Sequence, residues 1–235
     1  KIENFPLSNF FSKKINQKKI INLKFFTCDH CGLIQNHKSF NFKDLLGNQK
    51  NIKQKEPEEH LDSVVKKIIN MKKLKKDSKI VSLTYKDDTI LNRFKKKGFK
   101  KVNSFDFKDK FNNQKFEYLD NLIYKKNYKV SKKFQNSNLV ISRHFLEHNY
   151  SLKNFFYLVN DLSKNSEESY ILLEVPDTLK SLKNNDFACL WEQHKVYFTK
   201  NSLENCMNKF GYKKIFLDIK NYPYENCIVF FGKKE

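Results

Sequence analysis

Several features that would assign a chain to a broad class are missing from this sequence. It has five cysteines, an odd number, and no charged-then-apolar leader, which argues against a secreted disulfide framework and predicts a reducing, cytoplasmic location. No apolar run approaches the roughly 18 to 20 residues that cross a bilayer, so we expect no membrane segment. There is no internal repeat. With 235 residues, the chain is long enough to bury a core without disulfide staples.

The charge is strongly positive, with a formal net value of +20. The excess is mostly Lys, which is scattered among many Asn, Ile and Phe residues. It lacks the Arg-rich, Gly- and aromatic-interleaved character of common nucleic-acid modules. We therefore interpret it as a solvated Lys-rich surface, with nucleic-acid binding as the less favoured alternative.

Strand and helix patterns alternate from residue 79 onwards. Apolar runs predict strands and three- or four-residue spacings predict helices, two of them ending at Gly98 and Gly211. Two βαβ units and a closing antiparallel hairpin result. The predicted fold is α/β, a Rossmann-like three-layer sandwich with a mostly parallel sheet. We divide the chain into an N-terminal metal-knuckle segment (1–49), a linker with a leading helix (50–78) and the α/β domain (79–235).

Polar residues follow the central strand at the point where it ends. The run Leu139-Val140-Ile141 gives way to Ser142-Arg143-His144 and then to Glu147-His148. A second apolar run ends in Glu174-Val175-Pro176. Since open α/β sheets bind ligands outside the carboxyl ends of their strands, we expect the functional site at this edge.

A CxxCG knuckle, Cys28-Asp29-His30-Cys31-Gly32, lies in the N-terminal segment. Two thiolates at this spacing can bind one Zn²⁺ from a tight turn, with His30 and His37 as nearby candidates for the missing ligands. The alternative is two reduced cysteines in a turn.

Five short motifs, taken in their order along the chain, resemble those of the class I S-adenosylmethionine-dependent methyltransferases. Within that class they are most similar to the zinc-ribbon-bearing group that C-methylates nucleotide-linked keto sugars. The likeness runs from about residue 5 to the end of the chain. The motifs are Phe5-Pro6-Leu7-Ser8-Asn9-Phe10-Phe11, Cys28-Asp29-His30-Cys31-Gly32-Leu33-Ile34-Gln35, Phe145-Leu146-Glu147-His148, Glu174-Val175-Pro176 and Gln193-His194-Lys195-Val196-Tyr197-Phe198.

The resemblance implies S-adenosylmethionine as cofactor, Zn²⁺ at Cys28 and Cys31, and a nucleotide-linked sugar as acceptor. In that mechanism a base removes a proton next to a keto group, and a second group holds the enolate oxygen. His148 and His194 match these roles, although the sequence does not say which is the base. Tyr197 and Glu192 are candidates for positioning. The alternative is that both histidines are only hydrogen-bonded at strand ends.

The cofactor loop departs from the group's pattern, because Ser82 to Asp88 contains no glycine. Thr84 and Tyr85 should crowd the space that glycine leaves open. The predicted cofactor-binding residues are Thr84, Tyr85, Asp87, Asp106 and Arg143, with Asp106 as the acid for the ribose hydroxyls. The upstream CxxC is missing, and the group's Glu before the histidine is Gln193. Either an enzyme has reshaped its loop, or a methyltransferase fold with a closed pocket serves binding or assembly.

A third function class arises because His144 to His148 also reads H-x-x-E-H, the inverted zinc-protease motif. On a helix, His144 and His148 would share one face beside Glu147. The strand-like run directly upstream argues against that helix.

Overall fold

A computed structural model describes residues 1–7, 20–37, 58–105, 130–186, 189–223 and 225–235 of the chain. Asp106 lies outside these residues, as does the predicted boundary at 49–50 between the N-terminal segment and the linker. Within the described ranges, no helix combines the length and the apolar character needed to cross a membrane.

The main sheet has six strands, and the elements around it follow the predicted order. Its strands are β5 (Lys79–Ser82), β6 (Lys101–Ser104), β7 (Leu139–Arg143), β8 (Tyr170–Asp177), β10 (Tyr212–Lys220) and β11 (Asn226–Lys234). They are arranged β10-β11-β8-β7-β5-β6. β6, β5, β7 and β8 are parallel, whereas β11 runs antiparallel to both β8 and β10. The C-terminal hairpin that the sequence predicts is therefore present.

Helices pack on both faces of this sheet. The described helices are α1 (Leu61–Asn70), α2 (Asp88–Lys96), α3 (Leu152–Ser163), α4 (Thr178–Lys183) and α5 (Lys200–Lys209). The apolar sides of α1 and α2 bury one face of the sheet, and those of α3 and α5 bury the other. The result is a three-layer sandwich in which both faces of the central strands are apolar.

Local chemistry sets the helix ends. Ser151 caps α3 by accepting a hydrogen bond from the Asn154 N–H at 3.2 Å, and Thr199 caps α5 by accepting one from Ser202. Gly98 and Gly211, with φ of +86° and +77°, follow the last residues of α2 and α5 in the left-handed conformation that glycine adopts without strain. The sequence predicted both stops. The sequence did not predict the short helix α4, which Asp177 caps.

The N-terminal strands form two smaller sheets. β1 (Ile2–Pro6) pairs with β2 (Ile20–Leu23), and β3 (Phe25–Thr27) pairs with β4 (Ile34–Asn36) around the CxxCG turn. β4 also pairs with β9 (Val196–Tyr197), so β4 is the middle strand of a three-stranded sheet. This pairing joins the knuckle to the segment that carries His194.

The order of strands fixes where a ligand can bind. From β5 the chain crosses to β6 on one side and later returns to β7 on the other. This change of direction opens a crevice between the carboxyl ends of β5 and β7, the usual ligand position in an open α/β sheet.

Candidate functional site

His148 and His194 lie side by side at the carboxyl edge of the sheet. After β7, His144 adopts a left-handed φ of +46°, and a single 3-10 turn, Leu146–His148, brings His148 over the strand ends. His194 comes from the segment just before β9. The two ring centroids are 4.8 Å apart with an interplanar angle of 74°. The structure thus brings together the two histidines that the sequence singled out.

Each ring of the pair has one defined hydrogen bond. His148 Nδ1 lies 3.1 Å from the carbonyl oxygen of Gln193, and the indole N–H of Trp191 donates to His194 Nδ1 at 2.9 Å. Burial lowers the pKa of both histidines well below the usual value, and the nearby Lys86 ammonium lowers it further. Both imidazoles are therefore neutral at pH 7, the form in which one ring nitrogen donates and the other accepts.

Tyr197 and Glu192, the two predicted positioning residues, are buried beside this pair. The Tyr197 hydroxyl donates to the backbone carbonyl oxygen of Trp191 at 2.8 Å and accepts from the backbone N–H of Trp191 at 3.2 Å. Tyr197 therefore fixes the backbone of Trp191, which in turn holds His194. Trp191 was missed as a functional residue from the sequence. The available signal was a lone Trp three residues before a candidate histidine.

The glycine-free loop after β5 closes on itself. Tyr85–Asp87 forms a 3-10 turn in which the N–H of Thr84 donates to Asp87 Oδ2 at 3.0 Å. The N–H of Arg143 donates to Asp87 Oδ1 at 2.8 Å. Burial raises the pKa of Asp87 to about 7. A buried aspartate thus organises this turn without any glycine.

Arg143 and Glu174 form a buried ion pair across β7 and β8. Arg143 donates from Nε at 2.9 Å and from Nη2 at 3.2 Å, and His144 and His60 each donate from Nε2 at 2.9 Å to the same carboxylate. Burial acts to raise the pKa of Glu174, but the hydrogen bonds from His144 and His60 and the Arg143 charge outweigh it and hold that pKa well below its usual value. These four donors occupy both oxygens of the Glu174 carboxylate, so we assign Glu174 a structural role as a buried anion.

Two further hydrogen bonds cross from the loop to the end of β7. Lys86 Nζ donates to the carbonyl oxygen of His144 at 2.9 Å, and Arg143 Nη1 donates to the carbonyl oxygen of Lys86 at 3.0 Å. At the ends of β5 and β6, Ser82 and Ser104 are neighbours in register, and their buried hydroxyls find no partner in the described part of the chain. The carboxyl edge of the sheet therefore carries one ammonium group, Lys86, and two buried hydroxyls without a partner in the described residues.

The CxxCG turn has the geometry of a knuckle. Gly32, with φ of +71°, closes it with a hydrogen bond from its N–H to the Cys28 carbonyl oxygen at 2.8 Å. Hydrogen bonds from the backbone N–H groups of Cys31 and His30 lower the pKa of Cys28. A zinc site at Cys28 and Cys31 stays a prediction, supported by two thiols.

Elsewhere in the described residues, two groups of three side chains have the composition of a metal site. They are His144, Glu174 and Cys227, and Glu147, His148 and His194. In the first group, Glu174 is saturated by its four donors. The H-x-x-E-H interpretation, which needs one long helix, is wrong, because residues 139–143 are strand and His144 leads into a single 3-10 turn.

Comparison with known proteins gives a likeness of fold. No family model matches the chain. No curated protein sequence matches it either. Among solved structures, a SAM-dependent methyltransferase from Aquifex aeolicus is 9% identical with a TM-score of 0.45, and covers 77% of this chain and 95% of that one. A 1,6-didemethyltoxoflavin N1-methyltransferase from Burkholderia thailandensis, with S-adenosylhomocysteine bound, is 7% identical with a TM-score of 0.46 and covers 75% and 77%. The magnesium protoporphyrin IX methyltransferase of Synechocystis is 9% identical with a TM-score of 0.43 and covers 74% and 82%.

The predicted fold class is confirmed. The structure has the predicted α/β three-layer architecture, a mostly parallel six-stranded sheet with an antiparallel C-terminal hairpin and helices on both faces.

Proposed function

We propose that this chain is an S-adenosylmethionine-dependent methyltransferase that methylates a small, sugar-nucleotide-type acceptor at a carbon next to a carbonyl. The observation that carries the proposal is the pair of neutral, buried imidazoles of His148 and His194 at the carboxyl edge of a methyltransferase fold. A proton acceptor and a hydrogen-bond donor side by side are what enolate formation requires.

The groups around the crevice fit the cofactor by their chemistry. The buried hydroxyls of Ser82 and Ser104 have unmet hydrogen bonds, and the Lys86 ammonium can meet a carboxylate. Thr84, Tyr85 and Asp87 form the loop beside them. When bound, S-adenosylmethionine supplies an electrophilic methyl group. Asp106 as ribose ligand stays a prediction.

The acceptor chemistry follows from the imidazole pair. One ring removes the proton next to the carbonyl, and the other holds the oxygen that gains charge. Because burial keeps both rings neutral, each ring carries one N–H and one lone pair, and the hydrogen bonds to Gln193 and Trp191 already use one of the two on each ring. Arg143 supports this edge through Glu174 and the loop.

One observation favours a second candidate function, a methyltransferase-fold protein for binding or assembly. Lys86 and Arg143 join the loop after β5 to the end of β7 through hydrogen bonds across the crevice. If these bonds persist in solution, they exclude the cofactor.

A binding experiment separates the two candidates. Thermal unfolding is recorded with S-adenosylmethionine and S-adenosylhomocysteine, since a ligand at a hundredfold excess over its dissociation constant stabilises the folded state by about 2.7 kcal/mol. Methyl transfer is then measured on nucleotide-linked keto sugars. His148→Gln should retain the thermal shift and lose transfer. An unchanged melting temperature at millimolar cofactor would contradict the enzyme and favour the second candidate.

A further inference from the structure

Trp191 determines which nitrogen of His194 carries the proton. An indole N–H can only donate, so the His194 Nδ1 that it contacts at 2.9 Å must offer a lone pair. In a neutral imidazole the proton then lies on Nε2. His194 is buried and is held neutral by burial and by the neighbouring His148 and Lys86. His194 therefore presents an N–H donor on its free side.

Gln193 determines the opposite arrangement in His148. A carbonyl oxygen can only accept, so the His148 Nδ1 that lies 3.1 Å from the Gln193 carbonyl carries the proton. In the neutral ring this leaves Nε2 with a free lone pair. The two adjacent rings are therefore opposite in character, and neighbouring residues Trp191 and Gln193 set both of them.

We propose that Trp191 is a positioning residue that fixes His194 as the hydrogen-bond donor and thereby leaves His148 as the base. The chemical roles rest on the proposed function, whereas the proton positions rest on the hydrogen bonds alone. His148 Nε2 takes the proton from the carbon next to the carbonyl. The C–H electron pair becomes the double bond of an enolate, and the carbonyl π pair moves to oxygen, which accepts from His194 Nε2–H.

The charges near the pair are compatible with this direction of proton transfer. A carboxyl oxygen of Glu147 lies within 4.8 Å of a ring nitrogen of each histidine. Lys86 and His144 also face the pair, and their charges oppose protonation in the resting state. The base is thus unprotonated before the acceptor binds.

The same assignment excludes a metal ion at Glu147, His148 and His194, a set that otherwise has the two-histidine, one-carboxylate composition of catalytic metal sites. His194 Nδ1 accepts the Trp191 indole N–H, and His194 Nε2 carries the proton. Neither nitrogen of His194 offers a lone pair to a metal.

The test reads the proton positions directly in the full chain without cofactor. Long-range ¹H–¹⁵N correlation spectra at pH 7.5 should show His194 protonated at Nε2 and His148 protonated at Nδ1, with assignments from His148→Gln and His194→Gln. The exposed His30 and His37 serve as internal references. Added Zn²⁺ should leave the signals of His148 and His194 in place.

The variant Trp191→Phe keeps an aromatic ring and removes the indole donor. We expect a new Nδ1-protonated population of His194 and a kcat lower by about tenfold or more, with KM nearly unchanged. Tyr157→Phe, at a side chain that is 68% exposed, is the matched control and should change neither. Finding His194 protonated at Nδ1 in the wild-type chain, or an unaltered His194 spectrum in Trp191→Phe, overturns the proposal. Because these spectra need no cofactor, they are independent of whether methyl transfer is found.

Discussion

The backbone N–H of Lys195 donates a hydrogen bond to the carbonyl oxygen of Glu147 across 2.7 Å. This bond joins the residue before His148 to the residue after His194. On its other side, the Lys195 carbonyl oxygen accepts from the N–H of Asn36 at 2.9 Å, and β4 continues the pairing along β9. The imidazole pair is therefore held by backbone, from the N-terminal segment through to the end of β7.

The pairing of β4 with β9 leads to a first prediction. Asn36→Pro removes the backbone N–H that donates to the Lys195 carbonyl oxygen, in the middle strand of the three-stranded sheet, where proline is not tolerated. We expect amide hydrogen exchange at Tyr197, the partner of Ile34, to accelerate by about tenfold or more, with little change in β7. Asn36→Ser keeps the backbone N–H and is the control. Unchanged exchange in Asn36→Pro would show that β9 does not depend on β4.

Glu174→Gln should unfold the chain at much lower denaturant. It leaves the buried Arg143 guanidinium without its anion, and breaking such a pair costs about 3–5 kcal/mol. The measurement is urea unfolding followed by circular dichroism. Glu168→Gln is the control, because Glu168 pairs with Lys233 on the exposed surface, and its midpoint should match the wild type. Equal midpoints for both variants would contradict the structural role of Glu174.

Protonation of His148 and His194 should lower stability as the pH falls below about 6.5, the usual pKa of histidine, while Asp87, whose pKa burial raises to about 7, contributes in the opposite direction. His148 and His194 have folded-state pKa values well below that of the unfolded chain, so the unfolded state binds more protons below pH 6.5 and acid favours unfolding. Each histidine should cost about 1.4 kcal/mol between pH 8 and pH 5.5. The measurement is urea unfolding across this range. His148→Gln lacks one of the two groups and should lose correspondingly less stability, whereas identical pH profiles would argue that His148 is not held neutral.

Iodoacetamide should alkylate Cys28 faster than the buried cysteines Cys206 and Cys227. Backbone N–H groups of Cys31 and His30 lower the pKa of the Cys28 thiol, while burial raises the pKa of Cys227 and raises that of Cys206 to about 12. Iodoacetamide labelling at pH 7 with peptide mass spectrometry gives the order. If zinc is bound at the knuckle, Cys28 should be protected from iodoacetamide, and a chelator should remove that protection. Faster labelling of Cys227 than of Cys28 would contradict this arrangement.

Much of the fold was predictable because it depends on local patterns. The run Leu139 to Ile141 is apolar on both faces, and Gly98 and Gly211 end helices for a backbone reason that the sequence displays. These predictions needed periodicity and turn chemistry only. His148 and His194, by contrast, were singled out by the family resemblance.

The remaining features depend on contacts between distant segments. His60 binds Glu174 from the start of α1, and Asp87 replaces glycine by accepting hydrogen bonds from its own loop and from Arg143. No periodicity records such contacts. The roles within the imidazole pair were also left open by the sequence, since they depend on the orientation of the Trp191 indole.

The pairing of β4 with β9 also governs when the site can form during synthesis. The strand Ile34–Asn36 leaves the ribosome early, but its partner Val196–Tyr197 emerges only after most of the chain has been made. A contact between such distant segments forms slowly. The imidazole pair must therefore assemble late, after the four parallel strands have been made, and a nascent chain arrested before Val196 has these four strands but not the β4–β9 pairing that holds the two rings.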